Sequence, residues 1–121
     1  MDILIVDDEK DLCSILTLFC IRKSFTVSCT FTLQDAMLQL KSLPTLMFLD
    51  NNLTDGIGLD VIKELKARSP RTKIAFITAS TDHKIRVEAF QRGADYFLAK
   101  PFHLHRVREI LSIIKKKKMA I

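Results

Sequence analysis

The sequence predicts a single α/β domain, a doubly wound parallel sheet of five strands in the order 2-1-3-4-5 with helices on both faces. Three observations carry this reading. The chain has 121 residues, the length of one domain. Five short apolar runs rich in Ile, Val and Phe alternate with segments of helical periodicity. The composition, 48% hydrophobic and 27% charged with three Gly and three Pro, excludes a disordered, collagen-like or low-complexity chain. Strand-helix alternation implies parallel pairing, and right-handed crossovers leave few other strand orders.

The first run, Ile3 to Val6, reads as a strand, as do Thr26 to Phe31, Leu46 to Leu49, Lys73 to Thr78 and Tyr96 to Ala99, and the set reads as mostly buried on both faces. Between them lie the helices. Leu12, Ile15, Leu16 and Phe19 fall at i, i+3, i+4 and i+7 and predict the buried stripe of the first helix. Leu33, Ala36, Met37 and Leu40 repeat the pattern after Thr32, a capping residue with Asp35 three positions on. Leu59, Ile62 and Leu65 mark the third helix, which Ser69-Pro70 ends. Asp82 to Arg92 is a fourth helix of weaker periodicity, stopped by Gly93. Val107, Ile110, Leu111 and Ile114 define the fifth. Apolar runs of five or six residues fall far short of the roughly 20 needed to span a bilayer. No basic segment precedes the first apolar run, so a cytoplasmic location is expected.

The informative residues sit where the strands end. In this strand order the binding crevice lies at the carboxyl edge, between strands 1 and 3. Strand 1 runs into Asp7-Asp8, strand 3 into Asp50, strand 4 into Thr78-Ala79 and strand 5 into Lys100-Pro101. Asp8 alone would read as a helix cap, and a lone Thr or Lys as structural. Their joint placement on four strand ends points to a site. Three carboxylates converging there repel by about 3 kcal/mol per pair at ~5 Å and an effective dielectric near 20. Hard oxygen ligands of this kind select Mg²⁺ or a similar ion. A spare carboxylate, a hydroxyl and a lysine beside it suit phosphoryl transfer to an aspartate.

These motifs are Asp7-Asp8-Glu9, Asp50-Asn51-Asn52-Leu53-Thr54-Asp55-Gly56, Ile77-Thr78-Ala79-Ser80, and Gly93 to Phe102 with Lys100-Pro101-Phe102 at its end. In order and spacing the chain resembles the receiver domain of two-component response regulators over essentially its whole length. The resemblance implies a flavodoxin-like (βα)5 fold and a phosphoacceptor at Asp50. It implies Mg²⁺ (or Mn²⁺) held by Asp8, Asp50 and the backbone carbonyl of Asn52, with Asp7 acting mainly through a metal-bound water. Lys100 would pair with the phosphoryl group, and Thr78 would move to hydrogen-bond it. The switch aromatic would be Phe97, three residues before the lysine, and not Tyr96. The Lys100-Pro101 bond would be cis. The implied donor is a histidine kinase or phosphotransfer protein docking near the first helix. The implied output is a changed surface of helix 4, strand 5 and helix 5 that controls a partner or domain, with a homodimer through the same face as a further expectation. Many receivers carry Pro four residues after the acceptor. This chain has Thr54, which bears on loop rigidity and phosphoryl lifetime.

The alternative is a Mg²⁺-dependent aspartyl-phosphate phosphatase, but Asp7-Asp8-Glu9-Lys10-Asp11 departs from the D-x-D-x-[TV] of such enzymes. A flavin or nucleotide module would need a Gly/Ser/Thr-rich cradle after strand 1. From Lys100 to Lys118 seven Lys/Arg face one Glu, more than the net +5 of the whole chain. The basic end reads as a solvated helix terminus, and direct nucleic-acid binding is not expected. Cys13, Cys20 and Cys29 lack metal or redox spacing and read as reduced core thiols. His83, His103 and His105 read as surface residues. The expected receiver spans residues 1–118, with 119–121 a tail or the start of a linker.

Overall fold

The computed structural model describes residues 1–119. Its main sheet comprises β1 (Ile3–Val6), β2 (Val27–Thr30), β3 (Leu46–Asp50), β4 (Lys73–Thr78) and β5 (Tyr96–Ala99). All pairings are parallel and the order is β2-β1-β3-β4-β5, as expected. Helices α1 (Lys10–Arg22), α2 (Leu33–Gln39), α3 (Gly58–Arg68), α4 (His83–Arg92) and α5 (Leu104–Met119) connect or follow the strands. Residues 120–121, part of the expected tail, lie outside the described residues.

Alternation along the strands divides the core in two. Ile3, Ile5, Leu46, Phe48, Ala75 and Ile77 face α1 and α5. Leu4, Val6, Met47, Leu49, Ile74 and Phe76 face α2, α3 and α4. The three central strands are therefore apolar at nearly every position. Burial is incomplete on the two edge strands, where Val27, Ser28 and Cys29 of β2 and Tyr96 and Phe97 of β5 are half-buried and Ala99 is exposed, because one flank of each has no neighbouring strand.

The caps follow the sequence. The Thr32 hydroxyl accepts the Asp35 N–H at 3.1 Å. Gly93 ends α4 at φ 120°, a conformation that disfavours a side chain. Burial in α2, α3 and α5 centres on the predicted stripes. In α1 the predicted stripe is displaced. Cys13, Leu16 and Cys20 are buried, Leu12 and Phe19 flank them, and Ile15 is 52% exposed. The small thiols allow the helix to pack closely on the sheet, and burial pushes the Cys20 thiol up to about 12. All three cysteines are free. Toward the end of α5, Lys115 donates to the Lys23 carbonyl at 3.2 Å, and Lys116 and Lys117 are exposed.

The stripe is testable. Leu16→Ala should lower the unfolding free energy by about 2–5 kcal/mol, as a deleted core side chain does. Ile15→Ala should cost less than about 1 kcal/mol. Equal losses in urea unfolding would contradict this placement of α1.

Candidate functional site

The carboxyl edge of the sheet collects the predicted residues. β1 and β3 are neighbours, so their continuations bring Asp7, Asp8 and Asp50 together. One oxygen of each lies within 4.8 Å of the others. Asp7 and Asp50 are buried, and Asp8 is the most accessible of the three. Asp8 is not the cap of α1: the capping position is Glu9, whose side chain makes no capping hydrogen bond.

Lys100 enters from β5, two strands away from β3. Its backbone N–H donates to the Thr78 carbonyl at 2.8 Å, which fixes the start of the side chain at the end of β4. The ammonium then lies 3.2 Å from Asp50 Oδ1, 3.4 Å from Asp7 Oδ2 and 2.7 Å from Glu9 Oε1. The Lys100-Pro101 peptide is cis.

The charges are unbalanced. Burial, then the Asp7 charge, pushes the Asp50 carboxyl up to about 6 although Lys100 opposes the shift. Burial also raises Asp7, against the Glu9 N–H and Lys100. For Lys100 burial alone would lower the pKa. The hydrogen bond to Glu9 and the charges of Asp50 and Asp7 overrule it and hold the ammonium above its usual range. One cation thus serves several acids, which keeps the lysine charged and leaves the buried carboxylates short of positive charge.

The donor set fits a hard divalent cation. Asp7 Oδ1 accepts the Glu9 N–H at 2.9 Å, but buried Oδ2 accepts no hydrogen bond among the described residues. An anionic oxygen in that position, beside two further carboxylates, is a ligand for an ion such as Mg²⁺. Asn52 is exposed and begins a two-residue strand paired with Gly56–Ile57.

Thr78 and Phe97 occupy the expected strands. Thr78 is buried, and its hydroxyl accepts the Ser80 N–H at 3.0 Å. Phe97 is half-buried on the α4 side, its ring centroid 6.2 Å from that of Phe76. The Arg86 guanidinium lies 5.4 Å from the Phe97 centroid. Tyr96 packs toward the opposite core. Asp7, Asp8, Asp50 and Lys100 therefore form one cluster, and Thr78 lies at the end of the adjacent strand β4, its carbonyl accepting the Lys100 N–H. Phe97 lies apart from the cluster on the α4 side.

Residues that the sequence reading assigned no role hold the cluster in place. Glu9 is the nearest anion to Lys100. Asn51 accepts the Gly58 N–H on its carbonyl at 2.7 Å and the Leu59 N–H on its side chain at 3.0 Å, tying the chain after Asp50 to the start of α3. A Cβ at Gly58 would drive into the Asp50 carbonyl oxygen. Asp55 accepts the N–H groups of Leu33 and Gln34 at 2.8 and 3.0 Å, and these bonds hold its carboxyl below the usual range. The visible signals were Glu9 beside the acidic pair and the two glycines, Gly56 and Gly58, close after Asp50.

Comparison with known proteins agrees with this geometry. A family model described as the response regulator receiver domain matches residues 3–112, and the chain belongs to that family. Response regulator protein PilR of Pseudomonas aeruginosa is 34% identical over 110 residues, which cover 90% of this chain and 25% of PilR. Transcriptional regulatory protein CssR of Bacillus subtilis is 30% identical over 118 residues, covering 94% of this chain and 52% of CssR. The chain thus spans between a quarter and a half of these curated relatives. A two-component response regulator from Clostridium difficile superposes with a TM-score of 0.90 at 25% identity, covering 98% of each chain. The signal receiver domain of a Luxo repressor protein from Vibrio parahaemolyticus gives 0.89 at 26%, covering 98% of this chain and 92% of its own. Family membership places the domain among signalling proteins and not metabolic enzymes. Among the described residues no helix is long and apolar enough to cross a membrane.

The raised Asp50 carboxyl sets a pH dependence. Its folded pKa of about 6 exceeds the ordinary 3.8, so the folded chain holds that proton more tightly than the unfolded chain. The contribution to stability is full below about pH 4 and lost as pH rises through 6. In metal-free buffer Asp50→Asn should therefore be more stable than wild type at pH 7.5, by roughly 1–3 kcal/mol, with the difference vanishing near pH 4. Thermal unfolding across that range in EDTA checks it; a variant less stable at pH 7.5 contradicts it.

Proposed function

We propose that this domain accepts a phosphoryl group on Asp50 from the phosphohistidine of a histidine kinase or phosphotransfer protein. The observation that carries the reading is the Lys100 ammonium 3.2 Å from Asp50 Oδ1, beside three carboxylates within 4.8 Å. Family membership supports it.

An Asp50 carboxylate oxygen attacks the donor phosphorus in line. The phosphorus–nitrogen bond breaks, and the departing imidazole keeps the electron pair and takes up a proton. The product is an acyl phosphate. A carboxyl near pKa 6 is mostly ionised at neutral pH and is available for attack. Asp7, Asp8, Asp50 and the Asn52 carbonyl are the proposed ligands of Mg²⁺ or Mn²⁺, which when bound supplies positive charge to the phosphoryl oxygens. Lys100 pairs with one of those oxygens, and the Thr78 hydroxyl donates to another.

The donor approaches over α1. A cleft of about 630 Å³ beside Lys100 is lined by Leu12, Ile15, Phe102 and Leu104, and Ile15 and Leu104 are exposed. This apolar rim supports docking of a partner helix next to the site. Once Thr78 is drawn to the phosphoryl group, Phe97 repacks inward and the face formed by α4, β5 and α5 changes. That face is the proposed output surface, for a partner, a domain or a second copy of this chain. Phe97 has no phenolic hydroxyl, so its repacking acts through shape alone.

Incubation with acetyl phosphate and Mg²⁺ should add one phosphoryl group, seen by intact mass. The adduct should be labile to hydroxylamine and absent from Asp50→Asn. Undiminished labelling of that variant would refute the assignment.

A further inference from the structure

The closest anion to Lys100 is neither the proposed acceptor nor a proposed metal ligand. It is Glu9, at 2.7 Å, against 3.2 Å for Asp50 and 3.4 Å for Asp7. An ammonium has three N–H donors. Three carboxylates lie around this one, and among the described residues only Glu9 accepts a hydrogen bond from it. A phosphoryl group on Asp50 brings further oxygens that compete with these contacts for the ammonium, and the weakest contact yields.

Burial decides which. The Asp7 side chain is 0% exposed and that of Asp50 is 5%, whereas Glu9 is 59% exposed. Withdrawing the cation from buried Asp7 leaves a desolvated charge unpaired, and at Asp50 the phosphoryl group is bonded to the carboxylate itself and keeps the cation close. Withdrawing it from Glu9 leaves a carboxylate that water solvates at once. The backbone reinforces the arrangement, because the Glu9 N–H is held by Asp7 Oδ1 at 2.9 Å, which fixes the base of the side chain at the site.

We infer that Glu9 is a positioning residue which holds the Lys100 ammonium until a phosphoryl group replaces it, and which thereby slows phosphorylation of Asp50. The inference rests on the reading of Asp50 as acceptor. Glu9 stabilises the state without a phosphoryl group and loses its partner in the state with one. Removing its contact raises the phosphorylation rate. The contact acts through the reach of the side chain and not only through its charge. Shortening Glu9 to Asp withdraws the carboxylate by about 1.5 Å, one carbon–carbon bond, and breaks a 2.7 Å contact while keeping the charge.

The test compares wild type, Glu9→Gln, Glu9→Asp and, as a control for bulk charge, Asp11→Asn, which alters an exposed acid in the first turn of α1. The second-order rate of labelling by acetyl phosphate at fixed Mg²⁺ should rise about two- to fivefold in both Glu9 variants, the range of a partly exposed ion pair, and stay at the wild-type value in Asp11→Asn. In metal-free protein, the ¹⁵N-detected Lys100 ammonium should be protected from exchange in wild type and exposed in both Glu9 variants. Faster labelling in Glu9→Gln alone, with Glu9→Asp like wild type, would reduce Glu9 to a bulk charge and overturn the inference. So would unchanged ammonium protection in both variants, or unchanged rates in all four proteins. Absence of labelling in every protein, wild type included, would bring down the acceptor reading and this inference together.

Discussion

The structure of the site is governed by a shortage of positive charge. Asp7, Asp50 and Glu9 surround a single Lys100 ammonium, Asp8 lies beside Asp7 and Asp50, and two of the four acids are buried. At such separations like charges cost several kcal/mol even with an effective dielectric near 20. The fold bears that cost because the acids are extensions of paired strands. Asp50 is the last residue of β3, still in register with Ile77 of β4. Asp7 follows directly on β1, its N–H donating to the Thr30 carbonyl at 3.1 Å. The lysine is delivered from β5 across the end of β4, and only a long flexible stem bridges that gap. The same shortage that weakens the metal-free domain makes the site attractive to a divalent cation.

The loop after Asp50 carries Thr54 and no proline. Without a proline the turn has no fixed φ, yet it is anchored at both ends. Asp55 takes the first two free N–H groups of α2, and Asn51 takes two at the start of α3. Each of the two residues links the loop to a different helix. Tertiary hydrogen bonds thus hold both ends of a loop whose backbone no proline constrains from within.

Fold and cluster were legible in the sequence for a common reason. Central parallel strands are buried on both sides, so a run such as Ile3 to Val6 can be followed by Asp7-Asp8 only where the sheet ends, and every such boundary marks the same edge. What was not legible depends on side-chain reach and packing volume. Cys13 and Ile15 lie on opposite sides of Leu16 around α1, and the apolar period alone does not say which flank meets the sheet; packing turns the Cys13 side inward and leaves Ile15 out. Glu9 follows the acidic pair as any exposed helix-start acid would. Its contact with Lys100 joins residues 91 positions apart and leaves no trace in local pattern. Gly58 needs its missing side chain because of the Asp50 carbonyl, a constraint that exists only once α3 has packed.

In the proposed reading, the route from the site to the surface runs through helices that are unequally anchored. In α3 Gly58, Leu59, Ile62 and Leu65 are buried, whereas in α4 only Ala89 is, with Val87 and Phe90 exposed. Few buried apolar groups mean a low free energy of local displacement. Phe97 sits against this weakly held helix, its ring capped by Arg86 of α4 and backed by Phe76 of the core. A ring half out of the core can be drawn in by a small shift at the end of β4, and it would leave Arg86 without its aromatic partner. The cation–π contact, worth about 0.5–1 kcal/mol at an exposed position, is weak enough to yield to a charge-assisted bond at the acidic site. In the proposed reading this ordering of strengths gives the signal its direction: the stronger interaction at the carboxyl edge sets the weaker one on the output face.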